Sequence, residues 1–296
     1  MTTTVQKIAQ QNRSTIFVEE GELIEIEEYP GAQYIMRIRA PRCAATAIPG
    51  SFVHISCDDA LPMRRPLSIM RASDDWIEIL YKTAGIGLSL LAEKRAGDTI
   101  RVLGPIGQPF RPSPKRPDPL LIGGGVGIPP IVFLADVLRR DDEPWNPLAI
   151  LGSEIPFPFQ LAKSSLPTPW LDASIDSAMP QLESWGIRSR LASLSGFEGC
   201  FRGLTTELAE QWLQSLDADQ LARTEIFACG PTPMLRAVAE LAQGHGLPCQ
   251  VSLEEFMACA VGGCAACAVR IETAGGPAMK RVCVDGPVFD AAAVVW

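Results

Sequence analysis

The sequence of 296 residues contains little that suits a nucleic-acid-binding or membrane-spanning protein. It has 26 Lys and Arg against 34 Asp and Glu, so it lacks the basic excess that usually marks a nucleic-acid-binding face. It also lacks a long apolar run, because the longest uncharged stretch, residues 119–135, is short and interrupted by Gly and Pro. We therefore expect neither nucleic acid nor a membrane as a partner.

The chain is also poor in histidine and shows no sign of a secretion signal. His54 and His245 are its only histidines and lie in no motif, so we expect both to be surface or packed residues. The first 17 residues contain no apolar segment behind a basic start, which predicts a cytoplasmic, reducing location. Disulfides are rare in that setting, so the nine cysteines require another explanation.

Changes in composition divide the chain into three predicted domains, of mixed β and α/β class. Residues 1–113 hold short β-like runs between Gly, Pro and Asp turns, which is typical of a small antiparallel barrel. Beyond a proline-rich linker at 111–119, residues 114–247 alternate apolar strands with helical stretches and predict a parallel sheet. Residues 248–296 form a short segment that needs a metal centre for stability. Residues 153–187 match no motif, and we expect a surface elaboration there.

The short third segment contains four of the cysteines. Cys259, Cys264 and Cys267 follow the pattern C-x4-C-x2-C, and Cys283 comes later, which matches plant-type [2Fe-2S] ligand spacing. The small Gly and Ala residues between them allow a loop to wrap closely around a cluster. Zinc is the alternative, although zinc sites usually consist of two C-x2-C pairs.

A glycine-rich loop, GGGVGIPP at residues 123–130, lies where a predicted strand gives way to a helix. Glycines at this position allow the backbone to approach a pyrophosphate, and the helix N-terminus supplies free N–H groups. Pro129 or Pro130 suits the first helical turn. The alternative is a tight turn that binds no ligand.

A further motif, Arg-Pro-Leu-Ser at residues 65–68, lies in the β-rich domain. On a strand, Arg65 is able to hold a phosphate while Ser68 reaches a ring nitrogen of a flavin. A solvated arginine is the alternative for this tetrapeptide in isolation.

The order of these motifs resembles that of ferredoxin–NADP reductase relatives. R-P-x-S is followed by G-x-G-x-x-P at Gly125, Gly127 and Pro130, and then by C-G-P at residues 229–231. The tail, SLEEFMACAVGGCAACAVR followed by RVCVDGPVFDA, is similar to that of the electron-transfer subunits of NAD-dependent dihydroorotate dehydrogenases. The resemblance covers nearly the whole chain.

The resemblance implies cofactor contacts for specific residues. For FAD it implies Arg65, Pro66, Leu67, Ser68, Leu80, Tyr81, Lys82, Gly87 and Leu88. For NAD it implies Gly123, Gly124, Gly125, Val126, Gly127, Cys229, Gly230 and Pro231. For the [2Fe-2S] cluster it implies Cys259, Cys264, Cys267 and Cys283. Ser68 and Cys229 would lie closest to the chemistry, with Cys229 shaping hydride-transfer geometry rather than acting as a nucleophile.

Two positions depart from the pattern of the family. Gly87 and Leu88 stand where relatives usually have Gly-Thr, so a hydroxyl to the FAD phosphate is missing unless Ser89 supplies it. Ala260 follows the first cluster ligand where Gly is common, and we expect it to strain the loop slightly.

The resemblance implies a cytoplasmic electron relay in pyrimidine biosynthesis. Electrons would enter the cluster from an FMN-containing dihydroorotate dehydrogenase catalytic subunit, collect on FAD and leave as hydride to NAD⁺. Two copies of each subunit would form a heterotetramer. Ser153 and Glu154 follow the second nucleotide-domain strand, and an acidic residue there favours NAD(H) over NADP(H).

We expect the partner to dock on the loop 259–267 and on residues 284–290, whose apolar side chains include Met257, Val261, Val288 and Phe289 in and beside these segments. The alternative is that these residues pack against their own domain. Two other functions remain open: a related subunit that serves a hydrogenase or a sulfide-linked oxidoreductase, and a zinc-stabilised adaptor without enzymatic activity.

Overall fold

The structure, a computed structural model, describes residues 15–296. The expected absence of a secretion signal concerns residues that lie largely outside this range. The strands are β1 (Phe17–Tyr29), β2 (Gln33–Arg39), β3 (Phe52–Ser56), β4 (Arg65–Ser73), β5 (Trp76–Lys82), β6 (Thr99–Ile106), β7 (Leu120–Gly124), β8 (Leu148–Gly152), β9 (Ala162–Lys163), β10 (Ser177–Ala178), β11 (Arg188–Ala192), β12 (Ile226–Cys229), β13 (Cys249–Ser252), β14 (Ala268–Thr273), β15 (Gly276–Arg281) and β16 (Val288–Asp290). The helices are α1 (Pro41–Ala44), α2 (Gly85–Ala92), α3 (Ile128–Leu138), α4 (Pro180–Ser184), α5 (Thr205–Gln214), α6 (Ala218–Ala222) and α7 (Thr232–His245).

Strands β1 to β6 form a closed antiparallel barrel in the order β1-β2-β5-β4-β3-β6. Buried and more exposed side chains alternate along the strands, as in a barrel with a packed interior. On β2, Met36 and Ile38 are fully buried in the barrel, whereas Arg37 and Arg39 point outward. The predicted barrel is therefore confirmed. The Arg-Pro-Leu-Ser motif opens β4, as expected for a motif carried on a strand.

A six-stranded sheet of order β11-β8-β7-β12-β13-β16 follows the barrel, and only the edge strand β16 runs antiparallel. β7 and β8 are buried along their whole length, as is usual for strands covered on both faces by other elements. The chain runs outward from β7 to β8 and β11 and then returns to β12, so the strand order reverses between β7 and β12. This reversal opens a crevice at the carboxyl ends of the two strands.

The cysteine-bearing segment shares strands with this sheet. β13 and β16 extend its edge, and only β14 and β15 form a separate two-stranded hairpin. The domain boundaries stay a prediction, since residues on both sides of 248 contribute to one sheet. No helix within residues 15–296 is both long and apolar enough to cross a membrane.

The proline-rich linker is tied to the nucleotide domain along its length. The Ser113 N–H donates to the Glu225 carboxylate at 2.6 Å, and the Arg116 guanidinium donates to the Thr224 carbonyl at 2.7 Å. The Asp118 N–H donates to the Arg223 carbonyl at 3.1 Å. The linker is thus bound to the turn before β12 by backbone and side-chain hydrogen bonds.

Residues 153–187 contact the barrel near both ends of the segment. The buried side chain of Gln33, on the barrel, donates to the Pro156 carbonyl at 2.8 Å. On the other side, Arg71 of β4 donates to the Gln181 side chain at 3.1 Å. Residues 160–176 between these contacts are exposed or half-buried, so the surface elaboration stays a prediction for this middle part.

Candidate functional site

A cleft of ≈ 630 Å³ lies between the barrel, the parallel sheet and the cysteine segment. Most of the side chains predicted for FAD line its barrel wall: Pro66, Leu67, Ser68, Leu80, Tyr81, Lys82 and Leu88. Val126 from the glycine-rich loop lines the nucleotide side. The opposite wall is formed by residues 252–257, which the sequence did not place here.

Two features of the barrel wall fit a flavin nucleotide. The Tyr81 hydroxyl is buried without a hydrogen-bond partner, a costly state that a bound polar group would relieve. Arg65 lies over Gly87, since a Cβ at residue 87 would stand 3.1 Å from the Arg65 Nη2 atom. The lack of a side chain at Gly87 thus keeps this guanidinium close to the start of α2, where free N–H groups favour an anion.

The departure at Gly87 and Leu88 falls inside α2. Leu88 is buried, and Ser89, the expected substitute hydroxyl donor, donates within the helix to the Gly85 carbonyl at 3.3 Å. Ser89 is therefore already engaged by its own helix.

The two nucleotide motifs touch each other. Gly123 of β7 pairs with Cys229 of β12, and a Cβ at Gly127 would stand 2.3 Å from the Cys229 carbonyl oxygen. A Cβ at Gly124 would stand 3.3 Å from the Pro231 ring. Close approach to the backbone of residues 229–230 thus requires glycine at residue 127, and the crevice between β7 and β12 brings residues 123–127 beside residues 229–231.

Cys229 is surrounded by two polar residues that the sequence did not reveal. Burial, and then the nearby charge of Glu254, raise the pKa of the Cys229 thiol well above its usual value, although a hydrogen bond with the Ser252 side chain opposes this. The cleft walls desolvate the carboxyl of Glu254 and raise its pKa, even though the side chain opens onto the cleft. The sequence feature that points to Ser252 and Glu254 as site residues is their position at the carboxyl end of an apolar strand.

The four cysteines predicted as cluster ligands form two pairs. The Sγ atoms of Cys267 and Cys283 lie 3.4 Å apart, and both residues are buried. The second pair, Cys259 and Cys264, is joined by a side-chain hydrogen bond and lies in a more exposed loop. A [2Fe-2S] cluster has four cysteine ligands, two at each iron, so two pairs suit it.

A single-ion site fits the arrangement less well. Among residues 15–296, no set of three or more His, Cys, Asp or Glu side chains is arranged to hold one metal ion. Tetrahedral zinc would need all four thiolates around one point. The C-x4-C-x2-C spacing with the later Cys283 is that of ligands to a two-iron cluster.

The loop between the ligands directs backbone donors at sulfur. The Cys259 Sγ atom accepts hydrogen bonds from the N–H groups of Gly263 at 3.2 Å and Cys264 at 3.4 Å. Burial tends to raise the pKa of Cys259, but these bonds and that from the Val261 N–H lower it to about 7. The thiolate form that binds iron is thus favoured.

The loop also holds two alanines in the left-handed region. Ala260 and Ala265 both have φ of +56°, where an L-residue with a side chain is strained. The expected strain at Ala260 is confirmed.

The histidines lie outside this site. His54 is 2% exposed on β3, and burial followed by the charge of Arg64 lowers its pKa to about 4. His245 ends α7 and lies 2.9 Å from the Glu210 carboxylate. Neither lines the cleft, in keeping with their expected packing roles.

The predicted docking residues divide into two groups. Val288 is buried on β16, which favours the alternative that it packs against its own domain, whereas Phe289 packs against the sheet core but stays partly exposed. Val261 is exposed on the cluster loop, and Phe256, which the sequence reasoning passed over, is 93% exposed at the cleft wall. Near the cluster ligands, the accessible large apolar side chains are therefore those of Phe256 and Val261, within residues 256–266.

Comparison with known proteins places this architecture in a family. The model of the iron–sulfur cluster binding domain of dihydroorotate dehydrogenase B matches residues 254–295. The electron transfer subunit of dihydroorotate dehydrogenase B (NAD(+)) from Shouchella clausii is 32% identical over 83% of this chain and 86% of its own length. The subunit of the same name from Bacillus caldolyticus is 36% identical over 83% of this chain and 86% of its own.

A solved structure with a similar fold comes from work on an NADH-dependent reduced ferredoxin-NADP oxidoreductase. It has a TM-score of 0.75 and 24% identity, and the match covers 94% of this chain and 90% of that chain. The fold is thus that of the ferredoxin reductases. Together with the two relatives, it shows that the chain belongs to the family of dihydroorotate dehydrogenase B electron transfer subunits.

Proposed function

We propose that this chain passes electrons between a [2Fe-2S] cluster, FAD and NAD⁺ as the electron-transfer subunit of a dihydroorotate-oxidising enzyme. The observation that carries the proposal is the course of residues 252–259. Residues 252–257 line the cleft opposite the FAD-type side chains, and Cys259 follows as the first cluster ligand. One short segment thereby connects the predicted cofactor sites. The names of the relatives, which include NAD(+), support the same acceptor.

FAD exchanges electrons one or two at a time, which allows hydride transfer at one side and single-electron transfer at the other. In this chain Arg65 would offset the charge of the pyrophosphate, beside the start of α2. The hydroxyls of Ser68 and Tyr81 would donate to polar atoms of the flavin. The unpartnered state of the Tyr81 hydroxyl supports this role.

The nicotinamide nucleotide would lie across the crevice between β7 and β12. Residues 125–127 present their N–H groups at the start of α3, and the missing side chains allow close approach to the pyrophosphate. Cys229 forms the wall against which the nicotinamide ring is placed. Because burial keeps its thiol protonated, it shapes the geometry of hydride transfer and does not act as a nucleophile.

Ser252 and Glu254 would fix the position of Cys229. Ser252 hydrogen-bonds to the thiol, and Glu254 supplies a carboxyl on the cleft side of it. Their place between the flavin-type wall and Cys229 suits groups that orient the nicotinamide ring and exclude water.

The partner would be an FMN-containing catalytic subunit, in a complex with two copies of each chain. Residues 256–266, most of which are at least partly exposed, are the proposed docking face, because the cluster ligands Cys259 and Cys264 lie within it. Electron transfer needs the donor close to the cluster, and the apolar side chains of Phe256 and Val261 suit burial against another protein.

NAD(H) is the proposed nucleotide, on the strength of Glu154. Its side chain is exposed after β8, and its carbonyl accepts a hydrogen bond from Ser195 in the loop after β11. Arg202 lies beside Gly196 in that loop. Its basic side chain is the group that would counter the preference, by attracting the 2′-phosphate of NADP(H). Steady-state assays with both nucleotides decide the matter. Equal kcat/KM values for NADH and NADPH would refute the preference.

The function is tested by reconstitution. The chain, loaded with flavin and cluster, is assayed for dihydroorotate-dependent NAD⁺ reduction with and without a candidate catalytic subunit. We expect activity only from the complex, because dihydroorotate oxidation needs a substrate-facing flavin and base, which in related enzymes lie on a (β/α)₈ barrel absent from residues 15–296. Activity of the isolated chain, or an inactive but stable stoichiometric complex, would each contradict the proposal.

A further inference from the structure

One arginine side chain connects the two backbone segments that supply the cluster ligands. The first segment is the loop 259–267, and the second, here called the Cys283 arm, is residues 281–286. The Arg281 Nη1 atom donates to the Gly262 carbonyl, midway between two ligands of the loop, at 3.0 Å. Arg281 itself belongs to the arm, two residues before Cys283.

An acidic residue of the arm orients this guanidinium. The Asp285 Oδ2 atom accepts from the Arg281 Nε atom at 3.3 Å and from the Arg281 backbone N–H at 2.8 Å. The Arg281 side chain is 39% exposed and that of Asp285 is 27% exposed, so the pair is only partly screened by water. The two charges largely offset each other, and geometry rather than net charge is their main contribution.

The contact at Gly262 is close enough to require glycine. Its φ is +80°, and a Cβ there would stand 2.6 Å from Val284 Cγ2 and 3.2 Å from the Arg281 Nη1 atom. The loop therefore lies directly on the arm. A side chain at residue 262 would push the two segments apart.

The arm is itself folded around the Arg281 carbonyl. The N–H groups of Val284 and Asp285 donate to this oxygen at 3.1 and 2.8 Å. The neighbouring Val282 N–H donates to the Cys267 carbonyl at 3.0 Å, which joins the arm to the third ligand. The Val282 N–H and the Arg281 side chain, from adjacent residues at the start of the arm, thus contact two separate points of the loop, Cys267 and Gly262.

We propose that Arg281, oriented by Asp285, is a positioning residue for the iron–sulfur cluster: it holds the loop and the Cys283 arm together so that the two cysteine pairs keep their spacing. The inference rests on the proposed function, since it presupposes that the four cysteines hold the cluster. Hydrogen-bonded groups one layer behind metal ligands commonly change metal affinity by about 10- to 100-fold when removed. Arg281 contacts the ligand loop only through the Gly262 carbonyl and therefore acts through the backbone.

The test measures iron release from the anaerobic holoprotein into excess ferrous chelator, and the EPR spectrum of the reduced cluster. We expect R281M and D285N to release iron roughly 10- to 100-fold faster than the unchanged protein and to show altered EPR spectra. R281K retains the charge without the guanidinium fork, and its rate of iron release should fall between those of the unchanged protein and R281M. The double variant should release iron no faster than R281M, because both substitutions break one contact.

Lys280→Met is the matched control, because Lys280 is the adjacent basic residue and its side chain, like that of Arg281, is only partly buried. It removes the same charge without touching Gly262, and we expect release kinetics and spectrum like those of the unchanged protein. Flavin content per chain reports folding of each variant.

Wild-type release and spectrum in R281M, or equal effects of K280M and R281M, would overturn the positioning role. Failure of the proposed function itself gives a different result. In that case the unchanged protein would contain no iron or acid-labile sulfide after reconstitution, whatever residue 281 does.

Discussion

Substitution of Gly127 by Ala tests the contact between the glycine-rich loop and the turn after β12. A Cβ at residue 127 would stand 2.3 Å from the Cys229 carbonyl oxygen, 2.4 Å from its carbon and 2.5 Å from the Gly230 nitrogen. All three are backbone atoms, so no side-chain rotation makes room for the methyl group. The substitution must separate the two nucleotide motifs.

The size of the effect follows from these distances. Non-bonded heavy atoms normally stay about 3.5 Å apart, so the approach of 2.3 Å forces a movement of about 1 Å. Overpacking of this kind costs about 1–3 kcal/mol. A displacement of about 1 Å at a site that positions reactants can lower turnover by roughly 100-fold. We therefore expect G127A to fold and retain FAD, yet react with NADH roughly 100-fold more slowly.

Stopped-flow measurement of flavin reduction by NADH, under anaerobic conditions, provides the assay. Gly244→Ala is the control, because a Cβ there meets no atom within 4 Å and α7 would gain about 1 kcal/mol in helix propensity. G244A should reduce its flavin at the unchanged rate. A G127A variant that is equally fast would refute the close contact described for the two loops.

Three other predictions concern the cluster loop and the cleft. Cys264→Ser should remove or destabilise the [2Fe-2S] centre but leave FAD bound, since the flavin-type residues lie on the barrel; full iron and sulfide content would contradict this. Ala265→Gly should stabilise the loop by about 1 kcal/mol and slow iron release, because φ is +56° and the residue is exposed; Ala32→Gly, at φ +55° in the barrel, should leave iron release unchanged. Glu254→Gln should raise the apparent unfolding temperature near pH 7. Desolvation raises the pKa of Glu254 in the folded state. The contribution of its protonated carboxyl to folding stability is therefore complete below the unfolded-state pKa and is lost as the pH rises through the folded-state pKa. Near pH 7 the carboxyl is ionised and lacks this contribution, which the neutral Gln side chain would restore. The gain should disappear toward pH 4, and a gain independent of pH would disprove this cause.

Local motifs explain why much of the site could be predicted from the sequence. Arg65 and Ser68, the loop 123–127 and the cysteine spacing each depend on residues close together in the chain. The structure places Ser68 and Val126 on the walls of one cleft, and Cys259 shortly after the wall segment 252–257. The barrel was predictable for a similar reason, since alternation along each strand marks its inner face.

Contacts between distant strands explain what the sequence did not reveal. Ser252 and Glu254 approach Cys229 only because β13 pairs with β12, and no local pattern specifies that neighbour. The burial of Val288 and the packing of Phe289 against the sheet core likewise follow from the pairing of β16 with β13. Arg281 belongs to the same class, because its contact with Gly262 spans nineteen positions of the chain.

Anaerobic titration of the holoprotein with NADH tests the central claim most directly. If the chain is a relay, NADH added to the isolated subunit should bleach the flavin absorption and also give the EPR signal of a reduced [2Fe-2S] cluster. In the C264S variant, the flavin should still be reduced and the cluster signal should be absent. Flavin reduction with a cluster that stays oxidised, although a chemical reductant of low potential does reduce it, would contradict electron passage between the two sites.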